Sequence, residues 1–280
     1  MPSLTATVAS LVTTSGLPRL EAEALLAHVL GKNRAQLLAH PNHAVNDAHA
    51  GAARALFARR REGEPVAYLV GHREFYSLDF AVTPDVLIPR PETELLVDLA
   101  LERLVAPAGS GAEYRPRVLD LATGSGAVAI AIAKHAPHAE VWASDVSQVA
   151  LATAARNAAL HGVGVRFVAS DWFAGLAGER FDVIASNPPY VAEGDPHLAQ
   201  GDVRFEPRLA LASGADGLDA IRRIAAQARD HLARGGWLLF EHGHDQAARC
   251  RVLLEAAGYG SVASVCDLAG IERVTLGRVA

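Results

Sequence analysis

After Arg117 the chain alternates short apolar runs with helical segments, and this alternation limits the possible folds more than any other feature. Such alternation is typical of a mainly parallel sheet covered by helices on both faces. Five apolar runs precede the last long predicted helix, at residues 118–121, 141–144, 165–169, 181–186 and 237–240. Two β-prone stretches follow, 261–265 and 274–277, and we expect them to close the sheet as an antiparallel pair. The pattern therefore predicts an α/β, Rossmann-like sheet of about seven strands.

The beginning of the chain follows a helical pattern instead. Between residues 21 and 30 the apolar side chains recur on one helical face, and Gly31 follows as a stop signal. Over residues 75–82 the pattern changes to alternation, which indicates a strand or hairpin. We predict three parts: a small helical domain at 1–73, a linker with a strand or hairpin and a first helix at 74–107, and the α/β domain at 108–280.

Charge is distributed unevenly along the chain, whose formal net charge is −5. Residues 1–73 hold 8 basic and 5 acidic side chains, a net charge of +3, which leaves −8 for the remainder. An acidic α/β domain is poorly suited to gripping nucleic acid, whose phosphates supply most of the affinity. We interpret the basic run at 59–61 as a helix end, with a docking patch as the alternative.

Composition also bears on the compartment. Cys250 and Cys266 lie far apart in no metal-like spacing, which favours a reducing compartment without a disulfide framework. No apolar stretch approaches the roughly 18 residues of a membrane span, and the start of the chain does not have a signal-peptide pattern. We expect a cytoplasmic protein that binds no metal and no membrane.

The segment Asn187-Pro188-Pro189-Tyr190 directly follows the buried run at 181–186. It suits methylation of a planar nitrogen, whose delocalised lone pair makes it a weak nucleophile that needs acceptors for its N–H groups. Asn187 offers a side-chain carbonyl and Pro188 a backbone carbonyl that the fixed φ of proline aims in one direction, while Tyr190 can lie against a flat substrate group. The alternative is an ordinary turn, because Asn before Pro is common turn chemistry.

Three further strand ends carry residues suited to a cofactor. After the first strand of the α/β domain, a glycine-rich turn lets the backbone approach a ligand closely; it comprises Ala122, Thr123, Gly124, Ser125 and Gly126. The second strand ends in Asp145, which can accept hydrogen bonds from both ribose hydroxyls, and the third ends at Asp171 and Trp172, which can meet an adenine amino group and ring. These features fit NAD as well as S-adenosylmethionine, although the glycine spacing is closer to methyl-donor sites.

With these residues identified, the chain resembles the HemK-type protein-(glutamine-N5) methyltransferases that modify peptide chain release factors. The resemblance covers nearly the whole chain and is most specific in the Pro-Arg-Pro-Glu-Thr-Glu stretch. It is carried by residues 21–30, 64–69, 87–94, 187–190 and 267–273. The chain departs from the family at Ala122, where the family usually has glycine, and this departure bears on cofactor affinity.

The resemblance implies a class I methyltransferase fold and transfer of a methyl group from S-adenosylmethionine, leaving S-adenosylhomocysteine, to the glutamine of a Gly-Gly-Gln motif in class 1 release factors. It implies that the turn at 122–126, Asp145, Trp172 and Asn187 bind the cofactor, and the end of the third strand adds Asp171 to this predicted set. The segment from Asn187 through Pro188 and Pro189 to Tyr190 would hold the glutamine. We expect a monomer that makes no stable complex with nucleic acid, and a helical domain that docks the release factor.

Several alternatives stay open. An N6-adenine methyltransferase would use the same four residues on a flipped base. A ribosomal-protein glutamine methyltransferase is a further alternative, although such related enzymes differ in the Pro-Arg-Pro-Glu-Thr-Glu stretch. A non-catalytic adaptor and an NAD oxidoreductase belong to other classes.

Three polar residues follow the fifth apolar run. We expect Glu241 to border the crevice, and His242 and His244 to have surface or loop roles. The long irregular stretch at 192–211 is expected to be either a functional loop over the site or a locally mobile one. Glu206 and Asp216 within and after it are interpreted as structural.

Overall fold

The structure is a computed structural model that describes residues 6–104 and 114–280. They form two compact units. One contains residues 6–72 together with Gln200–Phe205, and the other contains the remaining described residues. The predicted boundary between residues 107 and 108 lies outside the described residues. Within the described ranges, no helix has the length and apolar character needed to span a membrane.

The first unit is helical around a small apolar core. Its helices are α1 (Val8–Thr14), α2 (Arg19–Leu30), α3 (Arg34–Ala39), α4 (Asp47–Arg61) and α5 (Val66–Val70). Leu25 and Leu26 of α2 are fully buried against Leu37 and Phe57. Gly31 has a φ of 60° and ends α2 in the left-handed conformation, as the sequence predicts.

The basic run at the end of α4 is engaged inside this unit. Each of its three arginines has at least one partner there: Glu64 for Arg59, Glu21 and Asp202 for Arg60, and the backbone oxygen of Ser15 for Arg61. These ion pairs and hydrogen bonds occupy guanidinium groups that a docking patch would present to a partner. The interpretation of the run as a structured helix end is therefore the better supported one.

The expected hairpin lies at residues 72–81, and all of it except His72 belongs to the second unit. Strands β1 (His72–Phe75) and β2 (Leu78–Ala81) are joined by Tyr76 and Ser77, whose φ values of 53° and 58° match a tight hairpin turn. A 3₁₀ turn at Pro91–Thr93 leads into α6 (Glu94–Glu102). Pro91 occupies the first position of that turn, where the absence of an N–H group has no cost.

A seven-stranded sheet forms the centre of the second unit. The strands are β3 (Arg117–Leu121), β4 (Glu140–Asp145), β5 (Arg166–Ala169), β6 (Phe181–Ser186), β7 (Leu232–Glu241), β8 (Gly260–Cys266) and β9 (Glu272–Arg278). Their order is β5-β4-β3-β6-β7-β9-β8. Strands β3 to β7 are parallel, and β9 runs antiparallel to both β7 and β8. The predicted α/β fold and its antiparallel final pair are confirmed.

Helices cover both faces of the sheet. They are α7 (Ala127–His135), α8 (Gln148–His161), α9 (Asp219–Gln227) and α10 (Ala247–Ala256), with a 3₁₀ turn at Ala228–His231. Neighbouring residues on one strand belong to opposite apolar layers: Val183 packs in the layer that includes α6 and α7, and Ile184 in the layer that includes α9 and α10. Both side chains are fully buried, which explains why the strands read as continuous apolar runs.

The strand order sets where a ligand can bind. From β3 the chain moves outward to β4 and β5, and then returns to place β6 on the other side of β3. The order therefore reverses between β3 and β6, and in open α/β sheets the crevice for ligands lies at the carboxyl ends of the strands at such a point. Leu121 and Ser186, the last residues of β3 and β6, are register partners at this edge.

Candidate active site

A cavity of about 630 Å³ lies at these carboxyl ends. Its volume is in the range of small-molecule and cofactor sites. Most of the residues predicted from sequence to form the site line it, namely Ala122, Thr123, Gly124, Ser125, Asp145, Asp171, Trp172, Asn187 and Pro189. Within the described chain, Gly126, Pro188 and Tyr190 are not among its lining residues, although each is a direct neighbour of a residue that is.

The glycine-rich turn between β3 and α7 is built on left-handed backbone. Ala122, Gly124 and Gly126 have φ values of 61°, 55° and 83°. A Cβ atom on Gly126 would lie 2.9 Å from both Ala154 Cβ and Ile130 Cδ1, whereas one on Gly124 would meet nothing within 4 Å. Gly126 is therefore required for helix packing, and Gly124 leaves open space beside the backbone. Ala122 adopts a conformation that disfavours any side chain.

Asp145, at the end of β4, holds this turn in place. Its Oδ2 accepts a hydrogen bond from the Gly124 N–H at 2.9 Å, and its Oδ1 accepts one from the Ser147 N–H at 2.9 Å. A carboxylate has about four acceptor positions. Two backbone donors therefore leave capacity for the hydroxyl groups of a ligand in the cavity.

Asp120 is a cavity residue that sequence reasoning did not assign. Its side chain is buried, and its Oδ2 accepts from Thr123 Oγ1 at 2.5 Å and from the Ala129 N–H at 3.0 Å. Its Oδ1 has no hydrogen-bond partner among the described residues. Burial raises the pKa of this carboxyl to about 7. The available signal was an acidic residue inside the strand that leads into a glycine-rich turn.

Trp172 reaches the cavity from a strained turn after β5. Its φ of 53° is unusual for a bulky residue. The turn is secured because Ser170 Oγ donates to the Trp172 carbonyl at 2.6 Å and accepts from the Gly175 N–H at 2.9 Å. Asp171 beside it forms an ion pair with Arg223 at 2.8 Å, and both side chains line the cavity. Strain that the surroundings maintain is typical of functional sites.

The segment from Asn187 to Tyr190 after β6 is tied to two distant parts of the chain by side chains. Asn187 Nδ2 donates to Thr93 Oγ1 at 3.0 Å, and Thr93 Oγ1 donates to Glu241 Oε2 at 2.6 Å. The Tyr190 hydroxyl donates to Glu241 Oε1 at 3.0 Å. The carboxylate of Glu241 therefore receives a hydrogen bond on each oxygen.

The backbone of the same segment is held as well. Pro188 is buried, and the Tyr190 carbonyl accepts from Gln246 Nε2 at 2.9 Å. A side chain at Gly217, whose φ is 77°, would collide with that carbonyl oxygen. The segment is thus confined on the side away from the cavity.

Two expectations about the end of β7 need revision. Glu241 was expected to border the crevice, but it is 1% exposed and lies behind Thr93, outside the cavity lining of the described chain. His242 was expected to have a surface or loop role, and the expectation of a surface position is wrong. Its side chain is fully buried and its Nε2 is 2.9 Å from Thr275 Oγ1. The antiparallel pairing of β7 with β9 covers this strand end, which the chain order alone does not reveal.

The long loop after the Asn187 segment contributes to the site at one end. It contains 3₁₀ turns at Pro196–Ala199, Val203–Phe205 and Arg208–Ala210. Pro207 and Leu209 line the cavity. Glu206 is buried, accepts from the Ile88 N–H at 3.1 Å and pairs with Arg90, so it fixes the Pro-Arg-Pro stretch as a structural residue would. Among the residues the structure describes, no cluster of His, Cys, Asp and Glu is suited to a metal ion.

A mainly parallel sheet with an antiparallel end and a glycine-rich first turn beside one cavity are features of the class I methyltransferases, and the Asn-Pro-Pro-Tyr segment lies at the same cavity. Two family models match the chain: the PrmC N-terminal domain at residues 4–71 and the methyltransferase small domain at residues 97–202. The chain belongs to the release factor glutamine methyltransferase family, as its similarity to curated relatives shows.

The relatives match over nearly their full length. The chain is 54% identical over 268 residues to the release factor glutamine methyltransferase of Bordetella pertussis, covering 95% of this chain and 97% of that protein. It is 52% identical over 281 residues to that of Burkholderia pseudomallei, covering 98% and 96%. A solved 16S rRNA methyltransferase of T. thermophilus, in complex with AdoMet and guanosine, shares the fold with a TM-score of 0.52 and 20% identity, over 75% of this chain and 50% of that one.

Proposed function

We propose that this protein transfers a methyl group from S-adenosylmethionine to the side-chain amide nitrogen of the glutamine in the Gly-Gly-Gln motif of class 1 peptide chain release factors. The observation that carries the proposal is the placement of Asn187 at the wall of the cavity, with its amide nitrogen bound to Thr93. Membership of the release factor glutamine methyltransferase family supports the choice of substrate.

The polar side chains of the cavity suit the polar groups of S-adenosylmethionine. The uncompensated Oδ1 of buried Asp120 fits a ligand with an ammonium group, and the remaining acceptor capacity of Asp145 fits ribose hydroxyls. Trp172 offers a ring beside Asp171 for a planar base. Residues 122–126 supply the close backbone approach. When bound, the cofactor supplies a methyl carbon on a positively charged sulfur, which is an activated leaving group.

The residues of this chain then have to position a weak nucleophile. The side-chain oxygen of Asn187 and the backbone oxygen of Pro188 accept hydrogen bonds from the two N–H groups of the substrate amide. As positive charge develops on that nitrogen, fixed acceptors stabilise it more than they stabilise the neutral amide. Holding reacting groups in the correct geometry can contribute about 7 to 11 kcal/mol. After it gains the methyl group, the nitrogen carries a positive charge and readily releases one of its two N–H protons to water, so a strong base is not needed in this scheme.

The direct test is incubation of the purified protein with a labelled methyl donor and a purified class 1 release factor, followed by mass mapping. We expect one methyl group on the motif glutamine, and none on a release factor in which alanine replaces that glutamine. Label on nucleic acid added to the same reaction would select the adenine methyltransferase alternative instead. Methylation of a ribosomal protein in preference to the release factor would select the alternative of a ribosomal-protein glutamine methyltransferase.

The helical part of the chain, residues 1–73, is proposed to dock the release factor, and residues 74–107 to join it to the methyltransferase domain at 108–280. The match of residues 4–71 to the PrmC N-terminal domain supports this division. If docking extends beyond the motif, intact release factor should have a KM at least about tenfold lower than a short Gly-Gly-Gln peptide. Equal KM values would contradict the docking role. We further propose a cytoplasmic monomer.

A further inference from the structure

The backbone does not determine which way the side-chain amide of Asn187 faces. Its side-chain oxygen and nitrogen are nearly the same size, so only hydrogen-bond partners decide which of them faces a given direction. For an acceptor role at Asn187 the oxygen must face the substrate. With the amide reversed, the side chain would present two donors to a substrate N–H group, and no hydrogen bond could form.

A chain of hydrogen bonds in the structure fixes the orientation of the Asn187 amide. Glu241 accepts on both oxygens, from Thr93 and from Tyr190. In its ionised form Glu241 can only accept, so the Thr93 hydroxyl then uses its single proton toward that carboxylate. Thr93 Oγ1 is then left as an acceptor, and the group that meets it at 3.0 Å has to be the Asn187 nitrogen.

We propose that Thr93 and Glu241 are positioning residues that orient the Asn187 amide, with its nitrogen held away from the substrate and its oxygen available to accept the substrate N–H group. This inference rests on the proposed function. Neither residue needs to touch the reacting atoms, because both act through Asn187. The Tyr190 hydroxyl completes the arrangement by occupying the second oxygen of Glu241.

Burial makes each group in this chain of hydrogen bonds depend on its protein partner. Thr93 is 4% exposed and Glu241 is 1% exposed, so water cannot readily replace a missing partner. Burial raises the pKa of Glu241, while the hydrogen bonds from Thr93 and Tyr190 oppose that rise by favouring the charged form. Burial also raises the pKa of the Tyr190 hydroxyl, which keeps it a neutral donor.

The same chain explains why two separate sequence motifs occur together. Thr93 belongs to the Pro-Arg-Pro-Glu-Thr-Glu stretch, and Asn187 lies 94 positions later. Glu241, at the end of β7, is 148 positions from Thr93. The first motif thereby acts on the second through one hydroxyl group.

The test uses substitutions that keep shape and change hydrogen-bonding capacity. Thr93→Val removes the hydroxyl, Thr93→Ser keeps it, and Glu241→Gln replaces an obligate acceptor by a group that can also donate. We expect kcat for release factor methylation to fall about 10- to 100-fold in Thr93→Val and Glu241→Gln, and to stay within about threefold of the parent in Thr93→Ser. The Kd for the methyl donor should change less than about threefold, because the oriented group contacts the substrate amide.

A double variant separates positioning from general packing. If Thr93 and Glu241 act as one chain, combining Thr93→Val with Glu241→Gln should lower kcat no further than the more damaging single change. Multiplicative losses would contradict a shared action. Should Glu241→Gln fail to fold, the comparison of Thr93→Val with Thr93→Ser still decides, since these two differ in the hydroxyl.

The outcomes are distinguishable from failure of the proposed function. If the parent protein does not methylate the motif glutamine, the proposed function is contradicted, and the positioning role with it. If the parent does so and both Thr93→Val and Glu241→Gln turn over within about twofold of it, only the positioning role is overturned. An equal loss of kcat in Thr93→Ser and Thr93→Val would also overturn it.

Discussion

The two strand ends that meet at the cavity are held by different means. The turn at 122–126 after β3 depends on backbone conformation, with positive φ at Ala122, Gly124 and Gly126. The segment at 187–190 after β6 depends on side chains that arrive from distant parts of the chain, through Thr93 and Glu241. The turn therefore carries its shape in its own residues, whereas the segment receives its orientation from elsewhere. Substitutions should affect the first mainly through stability and the second mainly through activity.

The largest effect should follow removal of the Asn187 amide. Asn187→Ala deletes the acceptor for the substrate N–H group, and by analogy with single preorganised hydrogen bonds we expect a loss of about 100-fold or more in kcat. Single-turnover methylation of the release factor measures it. A variant that retains nearly the parental rate would show that the segment does not act through this side chain.

The next test concerns the charge of Asp120 at the base of the turn. Its pKa of about 7 in the fold lies above the ordinary value of 3.8, so between these values the folded form holds a proton that the unfolded chain has lost. In the protein without bound S-adenosylmethionine, the free energy of unfolding should decline as pH rises from about 4 to about 7. This group should contribute up to about 1.4 kcal/mol per pH unit to that decline. Asp120→Asn should lack this component in urea unfolding series across that pH window. Parallel curves for parent and variant would rule the linkage out.

Two neighbouring glycines offer a matched comparison within the turn. Gly126→Ala adds a Cβ atom 2.9 Å from Ala154 Cβ and Ile130 Cδ1 to an already strained φ, whereas Gly124→Ala meets nothing within 4 Å. We expect a loss of about 3 kcal/mol in unfolding free energy for the first and about 1 kcal/mol for the second. Equal losses would mean that backbone strain alone, without helix packing, governs the turn.

The smallest effect should come from Ala122→Gly. Removing the methyl group relieves a side chain at a φ of 61°, partly offset by the greater freedom of glycine in the unfolded chain. We expect stability to rise by roughly 0.5 to 1 kcal/mol. Calorimetric titration with the methyl donor on the same variant shows whether the methyl group also affects cofactor affinity. A drop in melting temperature would contradict the strain argument.

Much of the fold could be predicted because it is encoded locally. The apolar runs identified the strands, and β7 begins five residues before its predicted run because Leu232 already pairs with Phe181 of β6, ahead of a break in the register. Gly31 marked the end of α2, and the glycine-rich turn marked the start of α7. Each of these signals is a property of a few consecutive residues.

The amino-acid sequence by itself determined the α/β layers, the glycine-rich turn and the Asn-Pro-Pro-Tyr segment behind a buried strand, since periodicity and turn chemistry act over short distances. Only the tertiary structure decided that Glu241 lies behind the cavity, that His242 is buried and that Thr93 reaches Asn187. These contacts join residues as far as 148 positions apart. These contacts depend on which strand ends the order of strands in the sheet brings together. A pattern in the sequence does not show which strand ends will be neighbours, because their proximity arises only when the sheet forms.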